Sequence, residues 1–108
     1  MQTNYEKGFE TQPEHKSLGK YGRMRKQYLK EHRPVVWNQM IMDGTLFSHL
    51  YAVDREAYER LDHMIPALAK TAGATEALKA ADPMKWVGLM NTCKAQAEEV
   101  ILNELIYV

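Results

Sequence analysis

The stretch that decides the fold is Thr45–Gly73, "TLFSHLYAVDREAYERLDHMIPALAKTAG". Its apolar residues repeat at spacings of three and four, which is the period of a helix with one buried face. Gly44 and Gly73 are natural boundaries for this helix, and Pro66 predicts either a kink near residues 62–66 or a new helix that begins there. The apolar stripe consists of Leu46, Leu50, Val53, Ala57, Leu61, Met64 and Leu68.

Two shorter helices are predicted before this stretch. The first runs from Leu18 to His32, and the second from Pro34 to Asp43, because proline disfavours helical geometry in the preceding residue and suits the first turn of a new helix. At about 100° per residue, the apolar residues of the first helix fall on one side, and Arg25 lies among them. The apolar residues of that side are Leu18, Tyr21, Met24, Tyr28 and Leu29.

The chain after Gly73 is predicted to be helical as well. A short turn of helix follows Thr75, and the pair Asp82-Pro83 combines a capping side chain with proline at the first helical position of a last long helix. The apolar ending "ELIYV" is expected to pack into the core or against a partner. The apolar face of the last helix comprises Trp86, Met90, Cys93, Ala97, Val100 and Ile101.

The sequence thus predicts an all-α protein, a small helical bundle of four to five helices with an irregular N-terminal arm. The arm covers residues 1–17, which are polar and lack a sustained period, and one helical domain covers residues 18–108. The only cysteine, Cys93, cannot form an internal disulfide. The sequence shows neither a secretory signal nor an apolar run of membrane-spanning length, so we expect a cytoplasmic protein without a membrane partner.

The formal net charge is zero, but the charges are segregated along the chain. Residues 15–34 hold seven Lys or Arg and one acid, whereas residues 35–108 hold six bases and ten acids. Most of these cations form one stripe along the first helix. The stripe starts with Lys16, just before the helix begins. We predict that five of them, here called the basic face, contact DNA phosphates. The basic face consists of Lys20, Arg23, Lys26, Lys30 and Arg33. The alternative is a solvated face that pairs with the protein's own acids.

Other kinds of site are disfavoured. Residues 35–61 have the spacing of a helix-turn-helix, but the outward positions of its second helix are acidic and would repel phosphates: Asp54, Glu56, Glu59 and Asp62. His49 and His63 are about 20 Å apart along one helix, too far to share a metal ion. Cys93 lies on an apolar stripe, and no phosphate loop or paired-carboxylate motif is present. We therefore expect no enzyme activity, no metal and no cofactor.

Three separated blocks resemble the transposon-encoded TnpV family: "YLKEHRP" at residues 28–34, "DPMKWVGLMN" at 82–91 and "AEEVILNELIYV" at 97–108. The resemblance implies carriage on a bacterial mobile element of the integrative and conjugative kind. It further implies a small protein that accompanies a site-specific recombinase, with an accessory, excisionase-like role, and it transfers no catalytic motif.

Two functions remain open. In the first, the protein is a non-enzymatic accessory or regulatory protein of a transposon that contacts DNA through its basic first helix. In the second, it is an interaction module that binds a recombinase or another element-encoded protein without contacting DNA. Trp37, Trp86 and the seven methionines are expected mainly in the core, and a homodimer is a further expectation.

Overall fold

A computed structural model describes residues 17–108, and nearly all of them are helical. The predicted all-α fold of four to five helices is confirmed, and residues 17–108 contain no strand. The helices are α1 (Lys20–His32), α2 (Pro34–Asp43), α3 (Leu46–Ala72), α4 (Glu76–Ala81) and α5 (Pro83–Ile101), which a π-helical turn (Leu102–Ile106) extends. The predicted N-terminal arm lies outside the described residues except for Ser17, which is exposed and non-helical.

The chain divides into two compact units. The first ends at Asp54 and the second comprises Arg55–Val108, so the division falls within α3. The prediction of one domain over residues 18–108 stays a prediction. Within residues 17–108, none of the helices combines the length and the apolar character needed to cross a membrane.

Helix α1 begins two residues later than predicted. Gly19 is extended, with φ −75° and ψ −176°, and the first helical residue is Lys20. The predicted break before Pro34 is confirmed, because Arg33 leaves helical geometry with φ −136° and ψ 61°. Gly44 then ends α2 in the left-handed region at φ 73°, a conformation that a residue without Cβ adopts easily.

Helix α3 continues through Pro66, so the alternative that a new helix begins there is wrong. Proline lacks an N–H group, and its ring crowds the carbonyl group one turn earlier, at Asp62. Both residues are exposed, so the interrupted hydrogen bond lies on the outer side of the helix rather than in the core. Gly73, at φ 82°, follows the end of α3.

The predicted starts of α4 and α5 are confirmed by their caps. The Thr75 side-chain oxygen accepts a hydrogen bond from the Leu78 N–H at 3.1 Å. At the next boundary, Asp82 Oδ1 accepts one from the Lys85 N–H at 3.2 Å, and proline occupies the first turn. Each cap satisfies a backbone donor that the first turn of a helix would otherwise leave unpaired.

The core of the first unit lies around Leu29, Leu46 and Leu50, which are at most 5% exposed. They come from α1 and the start of α3, so these two helices bury one apolar side each. Leu18, Trp37, Met40 and Phe47 are partly buried against this cluster. Trp37 therefore contributes to the core, as predicted, although α2 has no fully buried residue.

The second unit buries the predicted apolar faces of α3 and α5. Met64, Leu68, Trp86 and Met90 are half-buried. The terminal apolar segment packs inward in part, because Ile106 is fully buried while Tyr107 is 45% exposed. The buried residues of this unit are Ala57, Leu61, Ala69, Cys93, Ala97, Ile101 and Ile106.

Candidate nucleic-acid interface

Helix α1 presents the basic face as its sequence period predicts. Four of the five cations are exposed, and Lys26 is half-buried. From Lys20 to Arg33 the face extends about 20 Å at 1.5 Å per residue. Tyr21, Arg25 and Leu29 occupy the opposite, buried side of the helix, as predicted.

Several of these cations form cation–π contacts with aromatic rings. The Lys26 Nζ lies 5.7 Å from the centre of the Phe47 ring, and the Arg33 guanidinium lies 5.6 Å from that of Tyr28. The Lys20 Nζ lies 5.4 Å from the centre of the Tyr21 ring. Such contacts hold a cation over the negative face of a ring without neutralising its charge.

Few ion pairs with carboxylates are formed by the basic face among residues 17–108. Within residues 17–108, no ion pair joins Arg23, Lys26, Lys30 or Arg33 to an acid. Arg23 instead donates to the Leu18 carbonyl oxygen, and Arg33 donates to that of His32 at 3.2 Å. These four cations therefore keep their charge available to an anion. Glu31, the acid of α1, accepts a hydrogen bond from the Gln27 amide.

Asp54, a residue of α3, anchors the start of α1. Its Oδ1 accepts a hydrogen bond from the Gly22 N–H at 2.8 Å. The prediction that Asp54 points outward among the acids of α3 is wrong, since its side chain is half-buried in this contact. The exposure predicted for Glu56, Glu59 and Asp62 is confirmed.

Two glycines make this approach possible. A Cβ atom at Gly19 would lie 2.5 Å from Asp54 Oδ2, and one at Gly22 would lie 3.2 Å from the Leu50 carbonyl oxygen. A larger residue at Gly19 would displace the Asp54 carboxylate, and one at Gly22 would press against the backbone of α3. Sequence reasoning missed this contact, although Gly22 of "GKYG", inside the first turn of a helix, where glycine is unfavourable, was a usable signal.

Arg25 belongs to the same helix but not to the basic face. It is 8% exposed, and its Nε–H donates to His49 Nε2 at 3.2 Å. Because Nε2 accepts this bond, the His49 ring is neutral. Burial lowers the pKa of His49, and the positive charge of Arg25 lowers it further. Burial also lowers the pKa of Arg25, but a guanidinium remains protonated at neutral pH.

The chain matches a known protein family over nearly its whole length. The model of the family described as "Transposon-encoded protein TnpV" matches residues 8–106, nearly the whole chain. The chain belongs to the TnpV family. Neither the curated proteins nor the solved structures contain a significant match to it.

The described part of this TnpV-family chain brings together no constellation typical of a metal site. Among residues 17–108, no three His, Cys, Asp or Glu side chains lie close enough to hold a metal ion. The interpretation of Cys93 as a small buried hydrophobe is confirmed, as it is 2% exposed.

The helix-turn-helix arrangement is present in this TnpV-family chain as a succession of elements: α2 ends at Asp43, just before Gly44, and α3 begins at Leu46. The exposed acids of α3 make it an unsuitable recognition helix, because phosphates would be repelled. Helix α1 suits a contact with phosphates better, because it exposes Lys20, Arg23 and Lys30 and its one acid is Glu31.

The neutral His49 leads to a prediction about pH. Since its pKa is lowered in the folded protein, the unfolded chain binds more protons as the pH falls below about 6.5. The stability that depends on neutral His49 is therefore complete above this pH and decreases below it. We expect the midpoint of thermal unfolding to fall between about pH 7.5 and about pH 5.5. His49→Gln, which keeps an acceptor for Arg25 and does not titrate, should show a smaller fall. An equal fall in both proteins contradicts the prediction.

Proposed function

We propose that this TnpV-family protein is a non-enzymatic accessory protein of its transposon that contacts DNA phosphates through the basic face of α1. The observation that carries the proposal is the availability of Arg23, Lys26, Lys30 and Arg33, which pair with no carboxylate of residues 17–108. Membership of a family of transposon-encoded proteins supports DNA as the anion.

The dimensions of the basic face suit a DNA backbone. Phosphates of one strand follow each other at about 3.4 Å along the duplex axis while the strand winds around it, so a straight face of about 20 Å can lie alongside several of them. Contacts with phosphates position a protein but do not read sequence. Binding through this face is therefore largely independent of sequence, and it weakens as salt rises.

Fluorescence anisotropy with a random duplex of about 30 base pairs, at several salt concentrations, tests the proposal. Arg23→Glu, Lys30→Glu reverses two exposed cations of the basic face. Lys85→Glu, Lys94→Glu reverses two exposed cations of α5 and makes the same change in net charge. We expect the first variant to bind at least about tenfold more weakly than the wild type, because contacts with phosphates dominate such affinities.

The control variant should bind within about threefold of the wild type, because neither Lys85 nor Lys94 belongs to the basic face that the proposal places on phosphates. Circular dichroism confirms that each variant is folded. Equal losses in both variants indicate a response to net charge alone, and absence of wild-type binding at low salt refutes the proposal.

A second candidate function is a protein-interaction module that binds a recombinase or another element-encoded protein without contacting DNA. The observation that favours it is the outer side of α2, where Val35 is 78% and Met42 is 86% exposed. The wild type should then bind the element's recombinase but not the random duplex, and Val35→Asp, Met42→Asp should abolish co-purification with the recombinase.

A further inference from the structure

The N-cap residue of α1 supplies no side-chain cap to the first turn. Gly19 occupies the N-cap position, and no side-chain hydrogen bond from that residue closes the turn. A helix leaves its first four N–H groups without intrahelical partners, and glycine is the weakest helix former after proline. The turn nevertheless carries Lys20 and Arg23, two members of the basic face. Local sequence alone therefore does not hold these two cations in helical positions.

Asp54 supplies what the turn lacks. Its Oδ1 accepts from the Gly22 N–H at 2.8 Å, across 32 residues of sequence. A carboxylate at this end of a helix also interacts favourably with the positive end of the helix dipole. The glycines at positions 19 and 22 leave room for it, because a Cβ at Gly19 would lie 2.5 Å from Asp54 Oδ2.

We infer that Asp54 is a positioning residue for DNA: by capping α1 from a distant helix, it holds the first turn of the basic face in place. This inference rests on the proposed function. It reverses the simple electrostatic expectation, in which an acid beside a cationic surface repels phosphates and weakens binding. We expect the ordering of Lys20 and Arg23 to have a larger effect on binding than repulsion by the half-buried Asp54 carboxylate.

Two substitutions of Asp54 separate these effects. Asp54→Ala removes both the charge and the acceptor, whereas Asp54→Asn removes the charge and keeps an oxygen that can accept from Gly22. Asp62→Asn is the matched control, because Asp62 is an exposed acid of the same helix. The readouts are the affinity for the random duplex, its dependence on salt, and hydrogen exchange of the Gly22 amide.

We expect Asp54→Ala to bind about fivefold more weakly than the wild type, the factor that corresponds to removal of a helix cap. Its salt slope should be shallower by roughly 0.9 for each phosphate that the variant no longer neutralises. Asp54→Asn and Asp62→Asn should bind at least as tightly as the wild type. If Asp54→Ala binds as tightly as Asp54→Asn, charge alone matters and the inference is overturned.

The hydrogen-exchange measurement distinguishes failure of this inference from failure of the proposed function. If the wild type does not bind DNA, both fail, whereas faster exchange at Gly22 in Asp54→Ala alone still identifies the cap. If the wild type binds and removal of the cap has no effect on affinity or salt slope, only the inference fails. Should Asp54→Ala not fold, Asp54→Ser, whose hydroxyl is too short to reach Gly22, replaces it.

Discussion

Replacing Leu29 with alanine lowers the free energy of unfolding by about 3 kcal/mol, the typical cost of a Leu→Ala substitution in a packed core. Leu29 is fully buried in α1, against Leu46 and Leu50 of α3. Its removal forfeits the transfer free energy of the side chain and leaves a cavity that fixed helices fill only in part. Chemical denaturation followed by circular dichroism measures the decrease.

Met42→Ala is the control for this substitution. Met42 is also a large apolar residue in a helix, but it is 86% exposed, so its truncation should change the free energy of unfolding by no more than about 0.5 kcal/mol. Similar decreases in the two variants would show that Leu29 does not belong to a packed core. A decrease at Leu29 alone shows that the core, rather than helix propensity, stabilises α1.

The second large effect is expected at Gly22. We expect Gly22→Val to lower the free energy of unfolding by about 2–3 kcal/mol, because overpacking a close helix contact costs roughly 1–3 kcal/mol and a backbone hydrogen bond is disturbed as well. A Cβ here would lie 3.0 Å from Leu18 Cδ2, 3.2 Å from Asp54 Cβ and 3.2 Å from the Leu50 carbonyl oxygen. The last of these is backbone and cannot rotate away.

Gly88→Val is the matched control, because it makes the same change inside α5, where a Cβ meets nothing within 4 Å. Valine is a somewhat better helix former than glycine, so this variant should be as stable as the wild type or more stable by roughly a few tenths of a kcal/mol. Both are measured by chemical denaturation. A stabilising effect at Gly22 would mean that α1 does not approach α3 closely.

Both substitutions change the buried side of α1, the helix whose other side carries the basic face. Leu29 and Gly22 lie on the buried side of α1, and the cations lie on the other side. The same period of about 3.6 residues that buries one side of the helix therefore exposes the other. Stability and the proposed DNA contact are thus separate properties of one helix, and surface variants can test the contact without unfolding it.

The sequence predicted the helices well because their signals are local. The apolar period of α3, the proline at residue 34 and the capping pair Asp82-Pro83 each act within a few residues, and each helix boundary that depended on them is confirmed or shifted by at most two residues. The charged side of α1 was predictable for the same reason. The resemblance of three blocks to TnpV proteins was likewise readable from the sequence, and the family match confirms it.

Pro66 shows the limit of a local signal. A proline predicts a kink or a new start, and the new start is wrong because α3 continues through Pro66, where burial of the apolar face before and after it outweighs one missing hydrogen bond. The partner of Arg25 is a similar case. The position of Arg25 on the apolar side of α1 predicted that it is buried. Nothing near it in sequence identified its acceptor, His49, which is 24 residues away.

The sequence by itself determined the all-α class, the helix order, the basic face and the family, since these follow from periods, caps and motifs within short windows. Only the tertiary structure decided that Asp54 caps α1 and that Gly19 and Gly22 admit it. The physical reason is that a hydrogen bond across 32 residues depends on how two helices pack. The period of α3 predicts Asp54 among the outward acids, and only its contact with the Gly22 N–H distinguishes it from the exposed acids that follow it.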